Sequence, residues 1–224
     1  MKGMVFNMKN IKTTLKQILI IITLFFIYTL VSAFSYANIV SEDLSESVFR
    51  LHVLANSDNA DDQSLKYKVR DNVLSYMNTL CLNTKTKEEA IQIARNHQDD
   101  FYKIAKQTII DNGYDYDITI KIGVFNFPTK QYGDISFPAG SYDALRIEIG
   151  EAKGQNWWCV MFPPLCFVDM TSGIVPDESK KTLESSLSSE EEYILINDNK
   201  SNDIQFKFKL VEFFQNVKIK TAQN

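Results

Sequence analysis

The chain has 224 residues, 45% of them hydrophobic and 23% charged, with a net charge of −4 at pH 7. An acidic balance speaks against nucleic acid or anionic lipid as the partner, because phosphate contacts need clustered Lys and Arg. The length fits one domain with a proper core.

The N-terminus reads as an address. Lys2, Lys9, Lys12 and Lys16 precede the first acid, Glu42. Ile18 to Val31 is an apolar run of 14 residues, and Ser35-Tyr36-Ala37 puts small side chains where a signal peptidase inspects them. This is the three-part pattern of a secretory signal peptide over residues 1–37, cleaved between Ala37 and Asn38. An uncleaved anchor is the alternative, since the uncharged stretch from Ile18 to Ala37 is 20 residues long and can span a bilayer. In both cases the lysines stay cytoplasmic and the chain after residue 38 faces outward. Residues 38–224 then form one exported domain of 187 residues with a net charge of −8, once the four lysines are removed. A protein partner or a small ligand suits it.

Val48 to Ala55 is apolar with Arg50 and His52 on one side, which predicts a strand. The run NSDNADDQ ends it and opens a helix capped by Asp61 or Asp62. Leu65, Val69, Val73, Met77 and Leu80 recur at three and four and form one apolar stripe. Thr86-x-x-Glu89 is a capping box that opens a second helix. Its stripe runs through Ala90, Ala94, His97, Phe101, Ile104 and Thr108, and Gly113 closes it. Tyr116, Ile118, Ile120 and Ile122 alternate with polar residues as a half-buried strand.

Asn126 to Gly140 reads as a loop, and Tyr142 to Ile149 as a strand. Gly150 and Gly154 bracket a turn, from which Gln155 to Phe162 returns as the second arm of a hairpin. Asp177 to Glu192 is a polar connection with a short helical piece. Phe206, Leu210, Phe213 and Val217 predict a final helix, although Ile204 to Leu210 also alternates like a strand. The sum is an α+β domain: a small, mostly antiparallel sheet covered by helices.

No catalytic, nucleotide or metal motif stands out, so no cofactor is expected. His97 sits on a helix stripe as a packed core histidine. His52 lies near a strand end and could serve a cysteine nucleophile, Cys159 or Cys166, in an exported hydrolase of cell-wall or peptide substrates. A structural His52 is the plainer reading. Asn56, Asp58, Asn59, Asp61 and Asp62 crowd one loop without EF-hand spacing, which favours capping and turn roles over calcium. Cys159 and Cys166 flank Pro163-Pro164 and suit a short-loop disulfide, with two buried thiols as the alternative; Cys81 suits a core thiol. Trp157 and Trp158 are adjacent on a strand and must point to opposite faces. One of them, with Tyr132 in the preceding loop, is a candidate partner contact. A small-ligand-binding exported domain is a third, weaker reading.

Three stretches resemble the stage II sporulation protein R family. They are RLHVLANSDNADDQSLKYKVRD (Arg50–Asp71), FPTKQYGD (Phe127–Asp134) and FPAGSYDALRIEIGEAKGQNWWCVMFPPLCFV (Phe137–Val168). EEEYILI and FKFKLVEFF in the tail resemble it more weakly. The resemblance implies a signal without catalytic residues, made in the forespore and exported between the two septal membranes. There it would activate a membrane-embedded aspartic protease of the mother cell. That protease would mature an early mother-cell sigma factor.

Overall fold

The structure is a computed structural model that describes residues 8–132, 135–164 and 177–187. Helix α1 (Met8–Ser47) carries an apolar stretch, Thr13–Ser32, long enough to cross a membrane. It continues without a break through Ala37 and Asn38. The chain divides into two compact units, Met1–Ile39 and Val40–Asn224. The second unit holds everything that follows.

Its sheet is built from β1 (Phe49–Leu54), β2 (Ile118–Phe127), β5 (Gly140–Ile149) and β6 (Asn156–Phe162) in the order β2-β5-β1-β6. Two of the three pairings are antiparallel; β1 and β5 run parallel. The fold is α+β, as expected. Every residue of β1 is buried, which explains its inner place: FRLHVL has an apolar or aromatic-covered side chain on both faces. The predicted hairpin of the two last strands does not form. β1 lies between β5 and β6 and pairs with both, so the Gly150–Gly154 turn is a crossing over the end of β1. Local turn chemistry could not reveal that a strand from far upstream, β1, fills the gap.

Helices α2 (Ala60–Leu80), α3 (Lys87–Asn96) and α4 (Gln98–Asp111) cover one face. Leu65, Val69, Val73 and Met77 of α2 join Ala90, Ala94, Phe101 and Ala105 over Leu51, Val53, Leu145 and Ile147. Each fully buried Leu or Phe here is worth about 1.5–3 kcal/mol in removed apolar surface. The cap of α2 is Asn59 rather than Asp61 or Asp62: the Asp62 amide donates to Asn59 Oδ1 at 2.7 Å. Thr86 caps α3 as predicted, but the Glu89 carboxylate accepts from the Lys85 amide at 2.9 Å, one residue before the cap. The long second helix is two helices. His97 ends α3 and opens α4 with φ −110° and ψ 18°, and neither glycine nor proline marks the break.

The other face is covered by three pieces: the end of α1 through Leu44 with the adjoining Val48, a small hairpin, and α5 (Asp177–Ser186) through Leu183. The hairpin, β3 (Lys130–Tyr132) with β4 (Ile135–Phe137), replaces the predicted loop. Ile135, Ser136 and Phe137 are all buried, a load that a turn-rich loop reading misses. The predicted helix at Phe206–Val217 lies outside the described residues, as does Cys166.

Gly154 is fixed by close approach. Its amide donates to the Ala55 carbonyl at 2.9 Å, and an added Cβ would sit 2.2 Å from the Ser57 carbonyl oxygen. Gly154→Ala is expected to cost about 1–3 kcal/mol through this overlap. A lower urea midpoint for residues 40–224 would show it; an unchanged midpoint would mean that the Ser57 loop moves freely.

Candidate functional site

The period-two alternation of β1 sends Leu51 and Val53 to the helix layer and Arg50 and His52 to the opposite face. Strand pairing extends this face into rows. Lys121, Arg146, His52 and Trp158 lie side by side across the four strands. The next row is Gly123, Ala144, Arg50 and Val160. The hairpin β3–β4 and the aromatic residues Phe127, Phe137 and Tyr142 close over the second row.

Arg50 is completely buried, with no carboxylate paired to it among the described residues. A guanidinium keeps its charge in proteins, and burying it unpaired costs several kcal/mol. Two features offset part of that cost. Nη2 donates to the Tyr132 hydroxyl at 2.8 Å. The guanidinium carbon also lies 4.0 Å from the ring centroid of Phe127, 4.6 Å from Tyr142 and 5.6 Å from Phe137. Negative ring faces attract a desolvated cation by about 2 kcal/mol. Among the described residues Nε and Nη1 have no hydrogen-bond partner.

Tyr132 therefore has an internal task. Its hydroxyl accepts from Arg50 and donates to the Trp158 carbonyl at 3.0 Å, tying the hairpin to both β1 and β6. Burial pushes its phenol above the ordinary value, and the Arg50 charge acts against that. Phe127 and Tyr132, read from the sequence as part of a loop, thus pack around Arg50. Gly133 and Asp134 lie outside the described residues.

His52 is buried and stacks on Trp158, with centroids 3.6 Å apart and planes at 15°. Its Nε2 meets Asn156 Oδ1 at 2.8 Å, while Nδ1 has no hydrogen-bond partner among the described residues. Desolvation is the main reason its pKa falls to about 4; the Asn156 bond opposes this and Arg146 adds to it. The ring is neutral at pH 7. Cys159 pairs with Leu51 in the strand register and points into the helix-side core, whereas His52 pairs with Trp158. The two side chains thus sit on opposite faces. Cys159 is disulfide-bonded and Cys81 is a free thiol that burial pushes up.

The two tryptophans split between faces as predicted, and each is half-buried. Trp157 lies edge-on to Tyr67 at 5.4 Å, under the Arg70 guanidinium at 4.3 Å. His97 is corrected from a core histidine to a half-exposed helix junction: Nδ1 meets Asp100 Oδ2 and the Tyr76 hydroxyl, both at 3.0 Å. The acidic loop after β1 is an internal knot. Burial would raise the Asp62 carboxyl, but donors outweigh it and hold it below the usual range. They include Ser57 Oγ at 2.6 Å, Asn56 Nδ2 at 2.8 Å and Asn59 Nδ2 at 3.1 Å. Asp58 takes the Gln155 amide at 2.6 Å. Among the described residues no cluster of His, Cys, Asp and Glu is arranged to hold a metal.

Sequence reasoning missed the Arg50 cage. Its signal was an arginine inside an otherwise apolar strand, with the aromatics that face it 77 to 92 positions downstream.

Two outcomes follow from this geometry. Tyr132→Phe removes the hydrogen bond that buried Arg50 makes among the described residues and should cost about 1.5–3 kcal/mol in urea unfolding; a loss within error would show the π faces suffice. For His52, the unfolded state binds its proton near pH 6.5 and the folded state near 4. Stability from this group is complete above pH 6.5 and is lost as pH falls toward 4, by on the order of 3 kcal/mol. His52→Phe keeps the stack and should flatten that slope; an identical slope in the variant would show that His52 does not cause it.

The family model described as stage II sporulation protein R matches residues 45–172. Stage II sporulation protein R of Bacillus subtilis (strain 168) is 36% identical over 185 residues, covering 78% of this chain and 83% of the relative. No solved structure matches the chain. The matched residues span the sheet, its helices and the caged face, and the chain belongs to the stage II sporulation protein R family.

Proposed function

We propose that the protein is a secreted signal of sporulation that works by binding, without catalysis. It crosses from the forespore into the space between the septal membranes. There it activates a membrane-embedded aspartic protease of the mother cell, which then removes the pro-sequence of the early mother-cell sigma factor. Family membership across nearly all of the described part of the second unit carries this reading. The apolar helix Thr13–Ser32, compatible with a signal peptide or an anchor, supports export. The domain from residue 38 faces outward in either case.

The caged face supports a binding role over a chemical one. His52 is neutral, half of its hydrogen-bonding capacity is taken by Asn156, and the cysteine nearest in register points the other way. Aromatic side chains on rigid strands are what a protein contact uses. The proposed contact comprises the β3–β4 hairpin with Tyr132 and the half-buried Trp158, while Trp157 marks the opposite face. Activation requires preferential binding to the active form of the protease. Moving it from mostly inactive to mostly active takes roughly 5.5 kcal/mol of preference.

The test is reconstitution in a non-sporulating host that makes the protease and the sigma-factor precursor. Shortened sigma factor should appear only when this full chain is also exported, and His52→Phe should still produce it. Cleavage that is independent of the chain would contradict the signalling role. Loss of cleavage in a well-folded His52→Phe protein would return attention to catalysis.

A further inference from the structure

Strand β2 is an outer strand of the sheet, ten residues long and in unbroken register with β5 from Ile118↔Ile149 to Phe127↔Gly140. Two hydrogen bonds fix which of its groups face out. The Gly150 amide donates to the Asp117 carbonyl at 2.8 Å, so the odd-numbered residues point their backbone groups toward β5. Gln98 Nε2 reaches the Ile120 carbonyl at 3.3 Å from outside, so the even-numbered ones point away. Ile118, Ile120, Ile122, Val124 and Asn126 thus present a row of N–H and C=O groups to the outside, and among the described residues only that one carbonyl is taken.

Natural edge strands are short, bulged, or carry proline and charge, because a bare edge recruits other strands. β2 has none of these defences except Lys121, and Lys121 is held by Glu148 at 3.1 Å. The side chains of Ile118, Ile120, Ile122 and Val124 form an apolar line that α4 covers at Ile118 and leaves open at Val124, which is 66% exposed. A row of alternating donors and acceptors at strand spacing is matched by one kind of group, another extended backbone. A second copy fits poorly: a two-fold pairing centred on Lys121 or Ile122 sets the two Lys121 side chains opposite or diagonal, between chains that are each acidic.

We infer that an extended segment of the partner protein adds to β2 as a fifth strand, with apolar residues at alternate positions over Ile122 and Val124. This rests on the signalling reading and gives it a docking mode. The surface is continuous with the proposed contact, because β2 runs through Pro128 and Thr129 directly into the β3–β4 hairpin. The hairpin and Trp158 would then read the partner's flanking residues.

Val124→Pro tests it. Proline there removes an outward donor and leaves the β5 ladder intact. Val124→Lys keeps the donor but charges the edge, and Val124→Ala removes only the side chain. In the reconstituted host, with each full chain exported in equal amount, Val124→Pro and Val124→Lys should lower sigma-factor shortening at least tenfold. Val124→Ala should lower it less than threefold. In parallel, the amides of Ile122 and Val124 should exchange quickly in the free protein and slow at least tenfold when membranes bearing the protease are added. Wild-type cleavage by both Val124→Pro and Val124→Lys, or no change in exchange, would overturn the docking mode and leave the signalling role standing. A concentration-dependent dimer that Val124→Pro abolishes, with cleavage unchanged, would overturn it in favour of a second copy. No cleavage by the wild type would overturn the signalling reading and this mode together.

Discussion

A buried arginine organises one face of the sheet. Arg50 sits at zero exposure in the most buried strand of the sheet, and among the described residues its charge is met by rings and one phenol instead of a carboxylate. That choice dictates much else. Phe127, Phe137 and Tyr142 must stand around it, so β2, β4 and β5 are held at fixed distances from β1. Tyr132 must reach in, so the hairpin folds back over the sheet, and its second bond to the Trp158 carbonyl fixes β6 as well. The stack of His52 on Trp158 lies in the adjacent row and borrows the same cover through Phe127, whose ring lies 4.7 Å from that of Trp158.

The two sheet faces are consequently different kinds of surface. The helix side is a conventional apolar core, filled by α2, α3 and α4. The other side is a thinner layer of aromatic and cationic groups under small pieces of chain: the last turn of α1, a short hairpin and α5. Lys87 stitches this arrangement together, donating to the Ser45 carbonyl at 2.8 Å and pairing with Asp143 at 2.6 Å. A cover made of short elements is easier to adjust on binding than a packed helix layer. That difference fits the contact proposed on the caged side.

How far the sequence carried these conclusions depends on the range of the forces involved. Local signals read well: the stripe of α2, the Thr86 cap, the left-handed Gly113 with φ +84° and the alternation in β2 all rest on neighbours within a turn or a pleat. Long-range pairing did not read. Nothing near Gly150–Gly154 announces that β1 will lie between the flanking strands, and the hairpin at Lys130–Phe137 was hidden by its own turn residues. The break at His97 was equally silent, since the apolar stripe continues in phase across it. For the site, His52 and the tryptophans were visible as residue types, whereas Arg50 became notable only when folding placed three rings around it. The family was legible because its longest matching stretches are these same structural commitments: β1 with its loop, and β5 through β6.

A protein that signals by holding its partner must associate with it, and co-purification measures that association. The full chain and an affinity-tagged protease would be made together, solubilised from membranes, and the amount of this chain retained with the protease measured against an unrelated tagged membrane protein. Retention approaching one chain per protease is expected, persisting when the protease's catalytic aspartates are replaced. Retention equal to that of the unrelated protein would contradict it.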